Sequence, residues 1–173
     1  MFTRELRRAV VEFLKTLVIA FILAQLIMTS VAQAFQVEQF SMEPNLLPRD
    51  RVLVNKFIYH FRLPRAGEII VLRPPTDPSR NYIKRVVATA GQTVQIRGGH
   101  VYVNAQPLRE PYLRVETDGD YGPRLVPAHD IFVLGDNRGN SEDSRAFGFV
   151  PARNIIGEAI LIYWPPQRVH LLR

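Results

Sequence analysis

A long apolar run near the start of the chain limits the folds that it can adopt. Residues 16–32 read TLVIAFILAQLIMTSVA and contain no charged side chain. Phe13 and Leu14 extend the run, and Lys15 can snorkel its amine toward lipid headgroups. The total is about 20 residues, and at ~1.5 Å of rise per residue a helix of that length matches the hydrocarbon core of a bilayer. The sequence therefore predicts a transmembrane helix over residues 13–34.

Basic residues flank this run on its N-terminal side: Arg4, Arg7, Arg8 and Lys15. Because basic flanks stay on the cytoplasmic side, residues 1–12 are expected to form a cytoplasmic tail, with residues 35–173 across the membrane. Two other interpretations stay open from the residues alone. The tripeptide AQA at 32–34 would suit the end of a cleavable secretory signal, and the run would also suit an internal core helix.

Composition narrows the class of protein that follows this segment. At 173 residues the chain suits one modest domain plus the N-terminal appendage. It has no cysteine, which excludes disulfide bonds and cysteine-ligated zinc. The formal net charge is +6 at pH 7, but the basic residues are scattered, and no nucleic-acid partner is expected.

Beyond residue 48 the sequence is a series of short β-type runs separated by turns. Its 13 prolines and 10 glycines favour such a turn-rich body. The runs lie at 50–59, 68–73, 82–89, 93–97, 100–104, 131–134 and 155–164. Gly98 and Gly99 predict a hairpin, because glycine tolerates positive φ. We expect a mainly β fold, an antiparallel and barrel-like domain with loops at 73–81 and 117–130.

Few groups remain that could carry chemistry. The four histidines, His60, His100, His129 and His170, are not at metal-ligand spacing, and no phosphate-binding glycine loop is present, so no metal or cofactor is expected. Ser41, in the stretch FSMEP, has no neighbouring histidine to act as its base. A lysine can replace histidine only when it is neutral, and at a pKa near 10.4 about one lysine in 2,500 is neutral at pH 7.

Three lysines are available, and Lys15 lies on the expected cytoplasmic side. Burial beside apolar side chains can lower the pKa of a lysine to about 7, at roughly 4 kcal/mol. Strand alternation places Lys84 on one face with Tyr82 and small apolar groups, and Lys56 on one face with apolar residues of its own run. Periodicity alone leaves the choice between Lys84 and Lys56 open.

Four segments in order resemble the type I signal peptidases, also called leader peptidases, of bacteria and thylakoids: FSMEPNLLPRDRVLVNKF, GEIIVL, YIKRVVATAGQTV and GDNRGNSEDSRAFGFVP. The resemblance spans nearly the whole chain, and the short body is most similar to the cyanobacterial and plastid branch. It implies a single anchor followed by a β catalytic domain over 35–173, with a small accessory β region at about 92–130. It also implies that Ser41 is the nucleophile and Lys84 the general base, so Lys84 is preferred over Lys56.

The same resemblance implies supporting roles, position by position. Ser141 matches the serine whose hydroxyl orients the lysine amine. The charged residues that support the site in this family are matched by Arg85, Asp136, Asp143 and Arg145. The positions around the substrate pockets are matched by Met42, Leu46, Tyr82 and Ile83. Gln39 stands where the family often has a small residue or serine that assists the oxyanion, so the Ser41 backbone N–H is the expected oxyanion donor.

The implied function is a membrane-anchored serine endopeptidase that removes signal peptides from exported preproteins, cutting after small residues in Ala-x-Ala sites. Its partners would be those preproteins and the lipid bilayer of a plasma or thylakoid membrane, and it would need no cofactor. One rival is another Ser/Lys peptidase of the same fold, such as a self-cleaving repressor domain. A rival of a different class is a membrane-tethered β domain that only binds. The sequence carries no signal for an oligomeric state.

Overall fold

The structure is a computed structural model that describes residues 2–172, with the side chains of residues 2, 3 and 26–30 outside that description. The chain opens with helix α1 (Phe2–Val31) and passes directly into strand β1 (Ala32–Gln36). Apolar side chains along α1, including Leu17 and Phe21, are more than half exposed. The helix therefore does not pack into the core of the domain, and the interpretation as an internal core helix is wrong.

The residues of the anchor expected over 13–34 are divided between helix α1 and strand β1. Over the described residues, no helix combines the length and the apolar character that a bilayer crossing requires. The side chains of residues 26–30, which belong to the expected anchor, lie outside the described residues. Residues 32–34 are not helical, because they form an antiparallel ladder with residues 53–55.

The rest of the described chain is built from strands, one short α-helix and three single-turn 3-10 helices at Ile58–His60, Ala152–Asn154 and Pro166–Arg168. The strands are β2 (Arg51–Asn55), β3 (Ile69–Leu72), β4 (Tyr82–Thr89), β5 (Thr93–Arg97), β6 (His100–Val103), β7 (Gln106–Pro107), β8 (Tyr121–Leu125), β9 (Asp130–Leu134), β10 (Val150–Pro151), β11 (Ile155–Trp164) and β12 (His170–Leu171). Helix α2 (Ser144–Phe147) lies between β9 and β10. The expectation of a mainly antiparallel β fold is confirmed.

One large sheet positions the candidate site. Its strand order is β1-β2-β11-β3-β4-β9-β10, with β12 paired to β11, and its pairings are antiparallel. Register shifts in β4 and β11 bend these strands and curl the sheet. Among the described strands β1 and β10 do not pair, so the sheet is an open half-barrel.

The part of the chain between β4 and β9 forms a second sheet of four strands, in the order β7-β6-β5-β8. Gly98 and Gly99, at φ values of 54° and 82°, make the tight turn between β5 and β6 that the glycine pair predicted. The expectation of a loop over residues 117–130 is wrong for part of that segment, because it contains β8. This strand contains Gly122 and Pro123, and both residue types are rare in strand interiors, so its sequence does not show a strand pattern.

Burial along β4 explains how this strand serves both the core and the site. Tyr82 and Val86 pack into one hydrophobic cluster with residues of β3 and β9, as alternation predicts. After Val86 a register shift breaks the alternation, and Val87 and Ala88 both join a different cluster beneath the second sheet. The strand is therefore buried on both faces, and Lys84 lies within it.

Candidate active site

Ser41 lies in a compact turn between β1 and β2. Backbone hydrogen bonds close this turn, from Glu43 N–H to the Phe40 carbonyl at 3.2 Å and from Leu46 N–H to the Met42 carbonyl at 2.9 Å. Met42 and Leu46 are fully buried in the hydrophobic cluster that β2 and β11 form, so they fix the turn to the sheet. The Ser41 residue itself is only 6% exposed.

Lys84 reaches Ser41 from the adjacent strand β4. Its Nζ lies 2.7 Å from Ser41 Oγ, which is hydrogen-bonding distance between residues 43 positions apart. Lys84 is fully buried, and its Nζ lies 5.0 Å from the centroid of the Tyr82 ring on the same face of the strand. Across residues 2–172, Lys84 takes part in no ion pair.

Burial changes the acid–base behaviour of this lysine. Desolvation lowers the pKa of Lys84 from its ordinary 10.5 to about 8, because a charged amine is poorly solvated inside the protein. The carboxylates of Asp143, Glu142 and Asp136 act in the opposite direction, but they do not outweigh desolvation. A substantial fraction of Lys84 is thus neutral at mildly alkaline pH, which is the condition for accepting a proton from Ser41.

Lys56, the other lysine that the sequence left open, lies elsewhere. It follows the end of β2, and its backbone N–H donates to the carbonyl of Val31 at the end of α1. Lys56 lines a cavity that Ser41 does not line. The structure brings Lys84, and not Lys56, to the Ser41 hydroxyl.

The residue after Lys84 is anchored by a carboxylate. Arg85 donates two hydrogen bonds to Asp136, from Nε at 2.8 Å and from NH2 at 2.7 Å, and a third to the carbonyl of Gly67. Its guanidinium also stacks 4.0 Å above the ring of Tyr112. Asn45 Nδ2 donates to the same Asp136 carboxylate, which links the loop after β9 to the Ser41 turn.

Asp143 and Arg145 hold the far end of that loop. Asp143 caps α2 by accepting from the Arg145 backbone N–H, and it accepts from the Gly135 N–H at 3.1 Å. The Arg145 guanidinium donates to both Asp143 oxygens at 2.9 Å, and it donates to the carbonyl of Arg138 at 2.7 Å. The four charged residues expected to buttress the site thus form two ion pairs, and the carboxylate of each pair lies in the segment between β9 and α2.

Two residues of this loop were missed by sequence reasoning. Asn137 donates its backbone N–H to the Ser41 carbonyl at 3.0 Å, and its side-chain amide to the Phe40 carbonyl. Arg138 is almost fully buried and donates to Gly135 C=O and to the side chains of Thr117 and Glu110. Both belong to the GDNRGNS stretch, but a polar loop gives no local sign that its arginine is buried.

Close approach explains the glycine at the start of the loop. A Cβ at Gly135 would collide with the carbonyl oxygen of Ser41 and with the hydroxyl of Ser141. Ser141 Oγ is buried and has no hydrogen-bond partner among the described residues. The hydroxyl therefore lies beside the Ser41 backbone without bonding to the Lys84 amine, the group that it was expected to orient.

A cleft of about 550 Å³ opens beside Ser41. One wall is the segment from Ala34 to Met42, and the opposite wall includes Val71, Asn81 and Ile83. Met42 and Ile83, expected around the substrate pockets, line this cleft.

Two other expected pocket residues are not on the cleft wall. Leu46 is fully buried in the core, and Tyr82 is buried with its hydroxyl donating to Glu142 at 2.7 Å. Gln39 is exposed on the cleft, and the Ser41 backbone N–H donates to no acceptor in the described part of the chain. Over the same residues no group of three or more histidine and carboxylate side chains could hold a metal ion.

A serine hydroxyl in contact with a buried, readily deprotonated lysine, beside an open cleft, is an arrangement that suits a hydrolase with a lysine base. Comparison with known proteins gives the family. The model of the family described as "Signal peptidase, peptidase S26" matches residues 10–164. The chain therefore belongs to this family and is an enzyme of the signal peptidase I type.

Named relatives agree with the family match. The chain is 46% identical over 165 residues to a signal peptidase I of Leptolyngbya laminosa, covering 91% of this chain and 81% of that protein. It is 43% identical over 167 residues to a probable signal peptidase I-2 of Synechocystis, covering 93% and 76%. A solved structure of a signal peptidase I from Enterococcus faecalis superposes with a TM-score of 0.51 at 30% identity, covering 56% of this chain and 97% of that one.

Proposed function

We propose that the chain is a membrane-anchored endopeptidase that removes signal peptides through a Ser41/Lys84 dyad. The observation that carries this proposal is the 2.7 Å contact between Lys84 Nζ and Ser41 Oγ in a buried environment that lowers the lysine pKa to about 8. A signal peptidase acts on preproteins that carry signal peptides, and the family membership supports that substrate class.

In the proposed reaction neutral Lys84 removes the proton from Ser41 Oγ as this oxygen attacks the scissile carbonyl carbon. The Ser41 backbone N–H donates to the oxyanion that forms. The Lys84 ammonium then gives its proton to the leaving amine, and an ester between Ser41 and the signal peptide remains. Lys84, neutral again, removes a proton from water, whose oxygen attacks the carbonyl carbon of this ester. The bond from that carbon to Ser41 Oγ then breaks, Lys84 gives the proton back to Ser41 Oγ, and the signal peptide leaves with a free carboxyl group.

Two open strand edges support an extended substrate in the cleft. Strand β4 pairs with β9 only from Arg85 to Thr89, so its first residues, Tyr82 to Lys84, present one free edge among the described strands. Strand β1 pairs with β2 on one side only. A substrate strand can add to such an edge beside Ser41. Met42 and Ile83 on the walls would then favour small side chains at the Ala-x-Ala positions by excluding larger ones.

The membrane part of the proposal rests on α1. Leu14, Leu17, Val18, Phe21 and Ile22 are each more than half exposed, and such an apolar surface is stable when lipid covers it. The basic residues before the run favour a cytoplasmic N-terminus, with the β domain on the extracytoplasmic side of a plasma or thylakoid membrane. Protease added outside right-side-out vesicles of the plasma membrane would then digest the β domain, whereas sealed thylakoids, which enclose the lumenal side, would protect it until lysis. The opposite pattern in either membrane would contradict this topology.

The proposal is tested by incubating the detergent-solubilised protein with a preprotein that has one Ala-x-Ala site. Ser41→Ala and Lys84→Ala are each expected to lose more than about a hundredfold in kcat, because each removes one member of the reacting pair. Lys56→Ala is the matched control and should cut at the wild-type rate. Full activity in Lys84→Ala would exclude the dyad, and wild-type protein that binds the preprotein without cutting it would favour a binding domain.

A further inference from the structure

A second cavity, of about 310 Å³, adjoins the cleft. Phe35 and Asn81 line both spaces, so the two cavities meet at these residues. Three basic residues line the second cavity: Lys56 after β2, Arg73 after β3 and Arg153 before β11. The proposed peptidase reaction uses none of them.

These three cations lack acidic partners. In residues 2–172 no ion pair involves Lys56, Arg73 or Arg153, and no carboxylate lines the cavity. Other arginines of the β domain, including Arg62 and Arg168, do pair with carboxylates. Three like charges around one space repel one another, so the cavity carries a positive potential that an anion would relieve.

Hydrogen bonds hold together the two backbone segments that carry Arg73 and Arg153. The Arg73 N–H donates to the Asn154 carbonyl at 2.9 Å, and Asn154 Nδ2 donates to the Arg73 carbonyl at 3.1 Å. This reciprocal pair holds the start of the Arg73 loop against the turn that contains Arg153. The third cation, Lys56, is fixed to the end of α1 by its backbone hydrogen bond to Val31.

We propose that this cavity binds a negatively charged phosphate group, either free phosphate or the phosphodiester of an anionic lipid headgroup. Guanidinium groups donate two parallel hydrogen bonds to phosphate oxygens, and a lysine amine adds a compact positive charge. Asn81 and Gln33 on the cavity wall supply further amide donors.

The position of the cavity favours the lipid as the source. It lies at the end of α1 where the β domain begins, which is headgroup depth if α1 lies in a bilayer as proposed above. Phe57 and Phe61 follow Lys56 and are exposed, with their rings 4.8 Å apart, as expected of aromatic side chains at a membrane interface. Only this choice of source rests on the proposed membrane anchoring, and the anion site itself does not depend on peptidase activity.

The test is calorimetric titration of the full chain in neutral detergent at constant ionic strength. The probes are inorganic phosphate, micellar phosphatidylglycerol and micellar phosphatidylcholine. The double variant Arg73→Gln/Arg153→Gln is compared with Arg97→Gln/Arg114→Gln, which removes two exposed arginines outside the cavity. Both variants lose the same two positive charges, so a non-specific charge effect would weaken them equally.

Binding of an anionic probe that falls by about tenfold or more in Arg73→Gln/Arg153→Gln, and is unchanged in the control, would support the site. Phosphatidylglycerol binding more tightly than inorganic phosphate identifies the lipid as the source, and the reverse order identifies free phosphate. Equal weakening in both double variants, or wild-type protein that binds neither anionic probe, would overturn the proposal.

Discussion

Lys84 and Arg85 are neighbours on β4, and the protein treats the two cations in opposite ways. Arg85 is buried and fully paired, with two hydrogen bonds to Asp136 and one to Gly67. Lys84 is equally buried, yet its amine hydrogen-bonds to the neutral hydroxyl of Ser41, lies over the ring of Tyr82 and forms no ion pair with a described residue. A buried charge without a partner is unfavourable, so Lys84 shifts toward its neutral form.

The same contrast extends to the groups around each residue. On the Arg85 side, the loop after β9 is held by two ion pairs and by buried Arg138. On the Lys84 side, Ser141 Oγ is buried without a partner in the described residues. A rigid, saturated loop thus supports a small region whose polar groups are left free to react. The following substitutions test whether these two sides differ as described.

The largest effect on stability is expected around Arg85, where the buried charges are paired. Asp136→Asn removes the carboxylate from buried Arg85, and stranding a buried charge costs about 3–5 kcal/mol. Urea unfolding in neutral detergent measures the change. Asp77→Asn is the control, because the Asp77–Arg80 pair is exposed and its loss should leave the free energy of unfolding nearly unchanged. Similar losses in both variants would contradict the contrast.

Around Lys84, the free energy of unfolding is expected to depend on pH by about 3 kcal/mol. The pKa of Lys84 is lowered from 10.5 to about 8, so between these values the unfolded chain binds a proton that the folded protein does not. The free energy of unfolding should therefore rise with pH from about 8 to 10.5 through this group. Below pH 8 the full penalty of the buried amine applies.

Lys84→Met removes this contribution and keeps the volume of the side chain. Its free energy of unfolding should exceed that of the wild type at pH 7 and approach it near pH 10.5. Lys56 does not contact Ser41, so the free energy of unfolding of Lys56→Met should change with pH as that of the wild type does. Parallel curves for Lys84→Met and the wild type would show that the buried amine does not titrate as described.

The smallest effect on stability is expected at Ser141. Ser141→Ala removes a hydroxyl that has no hydrogen bond among the described residues, so unfolding should change by less than about 1 kcal/mol. If this hydroxyl orients Lys84 during the reaction, kcat should fall on the order of tenfold with KM unchanged.

Ser144, the first residue of α2, offers the matched control. Its Oγ accepts from the buried Val133 N–H at 3.0 Å, so Ser144→Ala should cost about 1–3 kcal/mol. A fall in stability for Ser141→Ala equal to that for Ser144→Ala would mean that Ser141 is an ordinary structural residue.

Runs of alternating or consecutive apolar residues predicted most of the sheet. They did so because residues of β4, β9 and β11 form much of the hydrophobic core. β1 was not predicted, because its residues AQAFQ continue the apolar N-terminal run and carry no strand pattern of their own. β8 was missed because it contains Gly122 and Pro123. Strands of two residues, such as β10, depend on tertiary pairing and leave no local pattern.

The site shows a similar division. Alternation placed Lys84 beside Tyr82, and the structure has that contact, but the residues alone did not separate Lys84 from Lys56. That choice depends on which strand lies beside the Ser41 turn, a tertiary fact that periodicity does not contain. Arg138 was missed for the same reason, because its partners Thr117 and Glu110 come from a distant segment.

The most direct test of the dyad is the pKa of Lys84 itself. The chain has only three lysines, so selective isotope labelling gives three amine-adjacent resonances, and Lys84→Met identifies the relevant one. An NMR titration of the full chain in neutral detergent should give Lys84 a midpoint near pH 8. A midpoint at the ordinary 10.5 would mean that the amine remains charged beside Ser41, and it would contradict its role as the base.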